Sequence, residues 1–282
     1  MANAVIIDGK AVAQKVRNGI KERIEALKAE NKRIPCLAVI LVGDDPASAV
    51  YVRNKMKACA EVGMLSEQVI LPAETSEETL LDEIEKFNRD ENVDGILVQL
   101  PLPRHIDAQK VTKAILPSKD ADAFHPQNVG LSRLGEPAFM PCTPSGVIRL
   151  LDEYGVEISG KRCVVIGRSN IVGKPVADML LARNGTVTVC HSKTPDIAEY
   201  TKNADIIVVA VGRAKMLKGD MIKEGCAVID VGINRVDGKL CGDCDFDSCA
   251  EKAAYITPVP GGVGPMTIAM LLENTMRAYD LK

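Results

Sequence analysis

The stretch CVVIGRSNIVGKPV, Cys163 to Val176, reads as a buried strand that breaks at Gly167 into a helix beneath a bound dinucleotide. The run CVVI suits a parallel strand, and Gly167 and Gly173 flank a turn whose backbone can come close to a phosphate. The first N–H groups of the new helix and its positive dipole end would then face that anion. A second strand, Thr186 to Cys190, ends at His191-Ser192-Lys193-Thr194, where NAD-selective folds place an Asp or Glu to grip the ribose hydroxyls. Here the tip offers hydroxyls and a cation, so Arg168, Ser192 and Lys193 together suit a 2′-phosphate and favour NADP. The spacing is G-x-S-x-x-x-G and not G-x-G-x-x-G, and alone it serves an ordinary strand-turn-helix crossover equally well. The context adds strand-like runs at Asp205 to Val211, Cys226 to Val231 and Ala253 to Thr257. Strands alternating with helical stretches imply a parallel sheet with helices on both faces.

The first half repeats the pattern. Val5 to Ile7 reads as a short strand, and apolar residues at Val12, Val16, Ile20, Ile24 and Leu27 make one helical face. Cys36 to Gly43 is a strand, and Pro46 to Glu61 a helix with Pro at its first turn and Gly63 as its stop. Glu67 to Leu71 precedes Thr75-Ser76-Glu77-Glu78, a capping-box pattern opening a helix to about Arg89. Gly95 to Leu100 is a fourth strand, and it runs into Pro101-Leu102-Pro103, a stiff loop at the strand's carboxyl end, where α/β sheets place ligands. From Leu116 to Met140 periodicity fades into a loop carrying Asp120, Asp122, His125 and Asn128. Thr143 as N-cap and Pro144 at the first position start a helix through Tyr154 that links two domains. After the loop PVPGGVGP, Pro258 to Pro265, a last helix runs from Met266 to about Tyr279.

A chain of 282 residues has room for about two domains, each with its own core. The net charge of −3, from 35 basic and 38 acidic side chains, contains no basic block and gives no footing for nucleic acid or a membrane surface. No apolar stretch reaches bilayer length, and the amino terminus carries no charged leader, so a soluble cytoplasmic chain is expected. Nine scattered cysteines suit a reducing compartment. Cys241, Cys244 and Cys249 could serve zinc, but no fourth ligand lies close in sequence, and free thiols are the better reading.

On the Pro46 to Glu61 helix, Ala49, Val52, Met56 and Ala60 form the expected buried stripe, with Tyr51 and Lys55 together beside it. Partial burial lowers a lysine's pKa by desolvation, which would fit Lys55 for proton transfer. Spacing alone favours a solvated helix lysine, like Arg53 and Lys57. Asp122 likewise suits either a paired donor edge of a ligand or a turn cap. His105, His125 and His191 lie at loops or the cofactor edge and are poor candidates for the main base.

Six motifs occur in order: Tyr51-Val52-x-x-Lys55-x-Lys57, Val98-Gln99-Leu100-Pro101-Leu102-Pro103, Lys119-Asp120-x-Asp122, Pro141-Cys142-Thr143-Pro144, Gly167-Arg168-Ser169-x-Ile171-Val172-Gly173-x-Pro175, and Pro258 to Thr267 (PVPGGVGPMT). Across essentially the whole chain they resemble the bifunctional methylenetetrahydrofolate dehydrogenase/methenyltetrahydrofolate cyclohydrolase family. The resemblance implies an α/β fold of two domains with a cleft between them. An N-terminal catalytic domain would span residues 1–142, and a Rossmann-like NADP-binding domain 143–264. The helix at about 265–282 would pack back on the first.

The implied activity is NADP-dependent oxidation of 5,10-methylenetetrahydrofolate to the methenyl cation, followed by hydrolysis to 10-formyltetrahydrofolate. This is one-carbon chemistry of the kind purine biosynthesis draws on, carried out by a homodimer without a metal. The resemblance implies Lys55 as the central proton carrier, Gln99 holding it, Tyr51 stacking on the aminobenzoate ring and Asp122 accepting from the pterin edge. Val98, Leu100, Pro258, Gly261 and Gly262 would line the folate, and Thr143, Gly167, Arg168, Ser169, Ser192 and Ile233 would contact NADP. Departures from the pattern are Ala123 in place of the usual Gly, Ala214 in place of a common Pro, and Cys244 in Gly-Asp-Cys-Asp-Phe. A dehydrogenase without the cyclohydrolase step, a shikimate-dehydrogenase-type enzyme and a non-catalytic NADP sensor are the alternatives.

Overall fold

The computed structural model describes residues 4–136 and 139–282; part of the stretch read as a loop, at 137–138, lies outside the described residues. In chain order the elements are β1 (Val5–Ile6), α1 (Gly9–Ala29), β2 (Cys36–Val42), α2 (Pro46–Val62), β3 (Leu65–Leu71), α3 (Glu77–Arg89), β4 (Gly95–Val98), α4 (Ala108–Ala114) and α5 (Pro126–Leu134). They continue with α6 (Cys142–Glu153), β5 (Arg162–Ile166), α7 (Gly173–Ala182), β6 (Thr186–Cys190), α8 (Ile197–Thr201), β7 (Ile206–Val209) and β8 (Ala227–Asp230). The hairpin β9 (Asn234–Val236) and β10 (Lys239–Cys241), then α9 (Phe246–Ala250), β11 (Tyr255–Ile256) and α10 (Val263–Asp280), complete the chain.

The chain forms two compact units. Among the described residues, unit 1 holds 4–13 and Thr143–Thr267, and unit 2 holds 14–136, 139–142 and Ile268–Lys282. In unit 2 a three-stranded parallel sheet runs β3-β2-β4. The central strand, CLAVILV, is buried at every position, whereas the edge strand β3 alternates between exposed and half-buried. That contrast is what two covered faces and one open edge require. α3 packs Leu80, Ile84 and Phe87 into this core, and its N-cap is Ser76, which accepts from the Thr79 N–H, one residue later than the expected capping box.

Unit 1 contains a six-stranded sheet, β1-β11-β8-β7-β5-β6, with every pairing parallel. Its core joins Val164, Ile166, Ile207, Val209, Val228 and Ile256. The amino-terminal strand is a correction to the sequence reading. Val5–Ile6 pairs with Tyr255–Ile256, so residues 4–13 fall with unit 1 and not with the N-terminal domain expected to begin at residue 1. A two-residue strand carries no periodicity to name its partner, and the free edge of β11 selects it. Two further expectations shift. Helix α6 begins at Cys142, which puts Thr143 inside the first turn and not at the cap. The stretch read as a loop contains α5, nucleated by the His125 ring, which accepts from the Gln127 N–H.

Lys282 closes unit 2. Asp94, fully buried, accepts both arms of the Arg33 guanidinium at 2.7 and 2.8 Å, the Cys36 N–H at 2.9 Å and the Lys282 ammonium at 3.0 Å. Lys282 also donates to the carbonyls of Glu91 and Val93, and Arg33 lies over the Tyr279 ring. Burial pushes the Asp94 carboxyl up, but the hydrogen bonds from Arg33, Cys36 and Lys282 outweigh it and hold the pKa below the usual range. A depressed folded pKa contributes stability above the unfolded value, and that stability is lost as pH falls through the folded one. Asp94→Asn is expected to cost about 3 kcal/mol near neutral pH, with the gap from the parent closing below about pH 4. Urea unfolding across that range measures it, and a gap that widens on acidification would refute the account.

Candidate active site

Helix α2 buries a lysine. Its buried face is Ser48, Val52, Lys55, Ala58, Cys59 and Val62, so Lys55 lies within the stripe and not beside it. Ala49 and Met56 are half-buried and Ala60 is exposed, which corrects the expected stripe. Lys55 retains 7% of its surface, while Arg53 and Lys57 are exposed, so the solvated reading fails for Lys55 alone among these three. Its ammonium donates to Gln99 Oε1 at 3.0 Å. Gln99 follows β4, and its own Nε2 donates to the Leu100 carbonyl at 2.6 Å, which turns the amide oxygen toward the lysine. Val98 is buried and Leu100 half-buried beside it, and the Leu100–Pro101 peptide is cis. Tyr51, one turn before Lys55, is 44% exposed.

Asp122 belongs to the same cluster. The backbone at Asp120 and Ala121 bridges to Ile96, which carries residue 122 alongside β4. Asp120 is buried and accepts from the His125 N–H at 2.8 Å and the Asn128 amide at 3.0 Å. Lys119, also buried, donates to the carbonyls of Phe87 and Asp90 at the end of α3. Burial lifts the Asp122 carboxyl above the usual range, with Lys55 pulling it down, Asp120 pushing it up and the Cys142 thiol hydrogen-bonding to it. A cavity of about 20 Å³, room for about one water, is lined by Val98, Leu100, Asp120, Asp122 and Phe124 among others.

In unit 1 the turn after β5 is tight. Gly167 has φ +127°, and a Cβ there would lie 2.3 Å from the Ala210 carbonyl oxygen; one on Gly173 would lie 2.3 Å from the Gly167 carbonyl oxygen. The anion cradle differs from the expected one. Ser169 Oγ accepts from the N–H groups of Val172 and Gly173, both at 3.2 Å, so the first donors of α7 are already occupied. The exposed Arg168 side chain and the exposed Ser192 and Lys193, at the end of neighbouring β6, remain for a phosphate. The tip His191 to Thr194 carries no carboxylate and is folded by its own turn, with His191 Nδ1 accepting from the Lys193 N–H. These residues fit NADP.

The other expected contacts are dispersed within unit 1. Thr143 Oγ1 meets Thr267 Oγ1 at 2.9 Å, and Ile233 is 47% exposed after β8. Gly262 abuts Gly9 so closely that a Cβ on Gly9 would lie 1.8 Å from the Gly262 carbonyl oxygen, and Gly261 accepts from the Lys10 N–H, while Pro258 is half-buried. Among the described residues no group of three or more His, Cys, Asp and Glu is arranged to hold a metal, and Cys249 donates to the Leu217 carbonyl. Among the described residues no helix is long and apolar enough to cross a membrane.

Residues 7–122 match the family model for the tetrahydrofolate dehydrogenase/cyclohydrolase catalytic domain, and residues 141–282 match that for its NAD(P)-binding domain. The chain belongs to the tetrahydrofolate dehydrogenase/cyclohydrolase family. Within it, the bifunctional protein FolD of Magnetococcus marinus is 62% identical over 99% of both chains. The crystal structure of the bifunctional FolD enzyme of Campylobacter jejuni is 51% identical over 99% of both chains, with a TM-score of 0.97. That of Trypanosoma brucei FolD, solved with NADP cofactor and an inhibitor, is 44% identical over 100% of this chain and 99% of its own, with a TM-score of 0.96.

Sequence reasoning passed over several supports of this family member's site. Cys142 and Asp120 stood in quoted motifs without a role. Asn274, whose amide donates to the carbonyls of Ala121 and Met140 at 2.9 Å, had no local signal at all. Ala123 explains itself: it has φ +60° and packs its methyl against Phe139 and Ala278, so alanine takes the left-handed turn that glycine takes freely. Ala123→Gly relieves about 1 kcal/mol of strain but loses a methyl and adds unfolded-chain entropy of similar size, so stability should move by less than about 1 kcal/mol. Ala123→Val, branched and oversized, should cost about 2 kcal/mol or more. Urea midpoints decide, and equal midpoints for Ala123→Val and the parent would remove the strain argument.

Proposed function

We infer that the protein oxidises 5,10-methylenetetrahydrofolate with NADP and then hydrolyses the methenyl product to 10-formyltetrahydrofolate. The observation that carries the reading is a buried lysine held by an oriented amide in the domain matched as catalytic. The chemistry NADP supplies is acceptance of the hydride that leaves the methylene carbon. The substrate's own nitrogen lone pair drives that departure, so the chain need only position the folate. Asp122 accepts from the amino-pyrimidine edge, whose donors replace the water that burial removes. Tyr51 gives the aminobenzoate ring an exposed face to stack on, and within unit 2 Val98 and Leu100 bound the rest.

Hydration makes a different demand. Water attacking the methenyl carbon must lose a proton, and a ring nitrogen must gain one as the ring opens. Lys55 Nζ carries that proton while Gln99 fixes its position. A permanently charged guanidinium in its place would oppose the substrate cation. On the cofactor side, Arg168, Ser192 and Lys193 grip the 2′-phosphate, with Gly167, Ser169, Thr143 and Ile233 along the rest of the dinucleotide. We also propose a cytoplasmic homodimer that supplies one-carbon units for purine synthesis. The half-exposed Val236 and Leu240 of the β9–β10 hairpin are consistent with a covered surface, and a monomer mass in sedimentation equilibrium would remove the dimer.

Lys55→Met keeps much of the stem's packing and removes the ionisable group. Cyclohydrolase turnover should fall about a hundredfold or more while dehydrogenase activity keeps a measurable fraction. The methenyl intermediate should then accumulate beyond the enzyme concentration. A folded variant that hydrolyses methenyltetrahydrofolate at the parent rate would make Lys55 an ordinary helix lysine. Arg168→Ala should narrow the preference for NADP over NAD by roughly one to two decades, as loss of a charge-assisted contact of about 1.5–3 kcal/mol predicts. Equal use of NAD and NADP by the parent would sink the 2′-phosphate assignment.

A further inference from the structure

Two carboxylates of unit 1, Asp230 and Asp243, are buried on hydrogen-bond donors. Asp243 is fully buried. Its Oδ2 accepts from the N–H groups of Val211 at 2.7 Å and Gly212 at 2.9 Å; its Oδ1 accepts from the Arg213 N–H at 2.8 Å and the Asn234 amide at 2.9 Å. Asp230, at the end of β8, accepts from the N–H groups of Gly232, Asp243 and Cys244 at 2.8–3.0 Å. There is no slack between them. A Cβ on Gly242 would lie 1.9 Å from Asp230 Oδ2, and one on Gly232 would lie 2.1 Å from Asp243 Cγ. Thus Asp230 fixes the backbone that carries Asp243, and Asp243 fixes the segments leaving β7 and β8.

Those segments stand at the dinucleotide turn. β5 has β6 on one side and β7 on the other, so the sheet's strand order reverses at β5 and β7, where α/β sheets open a ligand crevice. The Gly167 turn presses on the Ala210 carbonyl, and residues 211–213 follow at once. Ile233, exposed, lies between Gly232, held by Asp230, and Asn234, held by Asp243.

We propose that Asp243 is a positioning residue for NADP, its buried carboxylate holding residues 211–213 and 234 as the preformed wall facing the Gly167–Ser169 turn. This rests on unit 1 as the NADP site and extends it to a residue that never touches the cofactor. Four N–H groups that could otherwise rearrange around a ligand are committed in advance, so binding need not order them.

Asp243→Asn turns an NH₂ group against two of the four donors and releases the wall. The KM for NADP should rise roughly tenfold or more, with kcat at saturating NADP and the KM for methylenetetrahydrofolate within about threefold of the parent. Hydrolysis of added methenyltetrahydrofolate should stay within about twofold, since that step consumes no NADP. Asn234→Ala, which removes one donor of four, should raise the KM for NADP by a smaller factor, about threefold. A folded Asp243→Asn enzyme with the parent's KM for NADP overturns the proposal, as does a loss of both activities in equal proportion at unchanged KM. Should Asp243→Asn not fold, Asn234→Ala decides, and an unchanged KM overturns it. NADP titration calorimetry of the parent separates the two layers. A parent that does not bind NADP overturns the cofactor reading and this inference with it, whereas tight binding by parent and variant alike overturns only the inference.

Discussion

An ammonium inside the apolar stripe of a helix costs several kcal/mol unless an acceptor meets it, and Gln99 is the acceptor that makes Lys55 tolerable. The arrangement in unit 2 follows from that need. Gln99 must sit where β4 ends, so β4 must be paired and buried, which the central strand β2 provides. The amide must present oxygen and not nitrogen, which the Leu100 carbonyl enforces. The carboxyl of Asp122 then finds itself near a cation in a place otherwise hostile to charge; the Ala121 N–H on the Ile96 carbonyl holds its segment against β4, and the Asn274 amide takes the Ala121 carbonyl.

Much of this was legible because it is local. Cys36–Val42 and Cys163–Ile166 announced covered parallel strands by unbroken apolar runs, and Pro46 with Gly63 bounded α2. The six motifs identified the family at once. What was not legible depends on partners distant in sequence. Val5–Ile6 could have joined either sheet. The side of α2 that Lys55 occupies differs from the expected one by a fraction of a turn, a shift that the mixed apolar pattern of PASAVYVRNKMKACAEV could not resolve. Asn274 and Asp243 are ordinary polar residues until the fold delivers backbone donors and acceptors to them.

Backbone positions that favour glycine divide into two kinds in this chain. At 167, 232 and 242 a side chain would collide with carbonyl or carboxylate oxygen, so absence of bulk is required. At 123 only the backbone angle matters, and alanine can meet it with a buried methyl as partial compensation. A departure from a family pattern is thus mild or severe according to which demand the glycine was meeting.

The Ser169 hydroxyl that occupies the first donors of α7 also decides what kind of grip is left for the discriminating phosphate. A helix terminus acts through fixed dipoles at short range, whereas Arg168 and Lys193 are exposed charges at the surface, open to counterions. Under the proposed assignment, in which these two side chains hold the 2′-phosphate, the discrimination between the two nicotinamide dinucleotides is a screened Coulombic quantity. On that assignment it is expected to be widest in dilute buffer and to erode as ionic strength climbs.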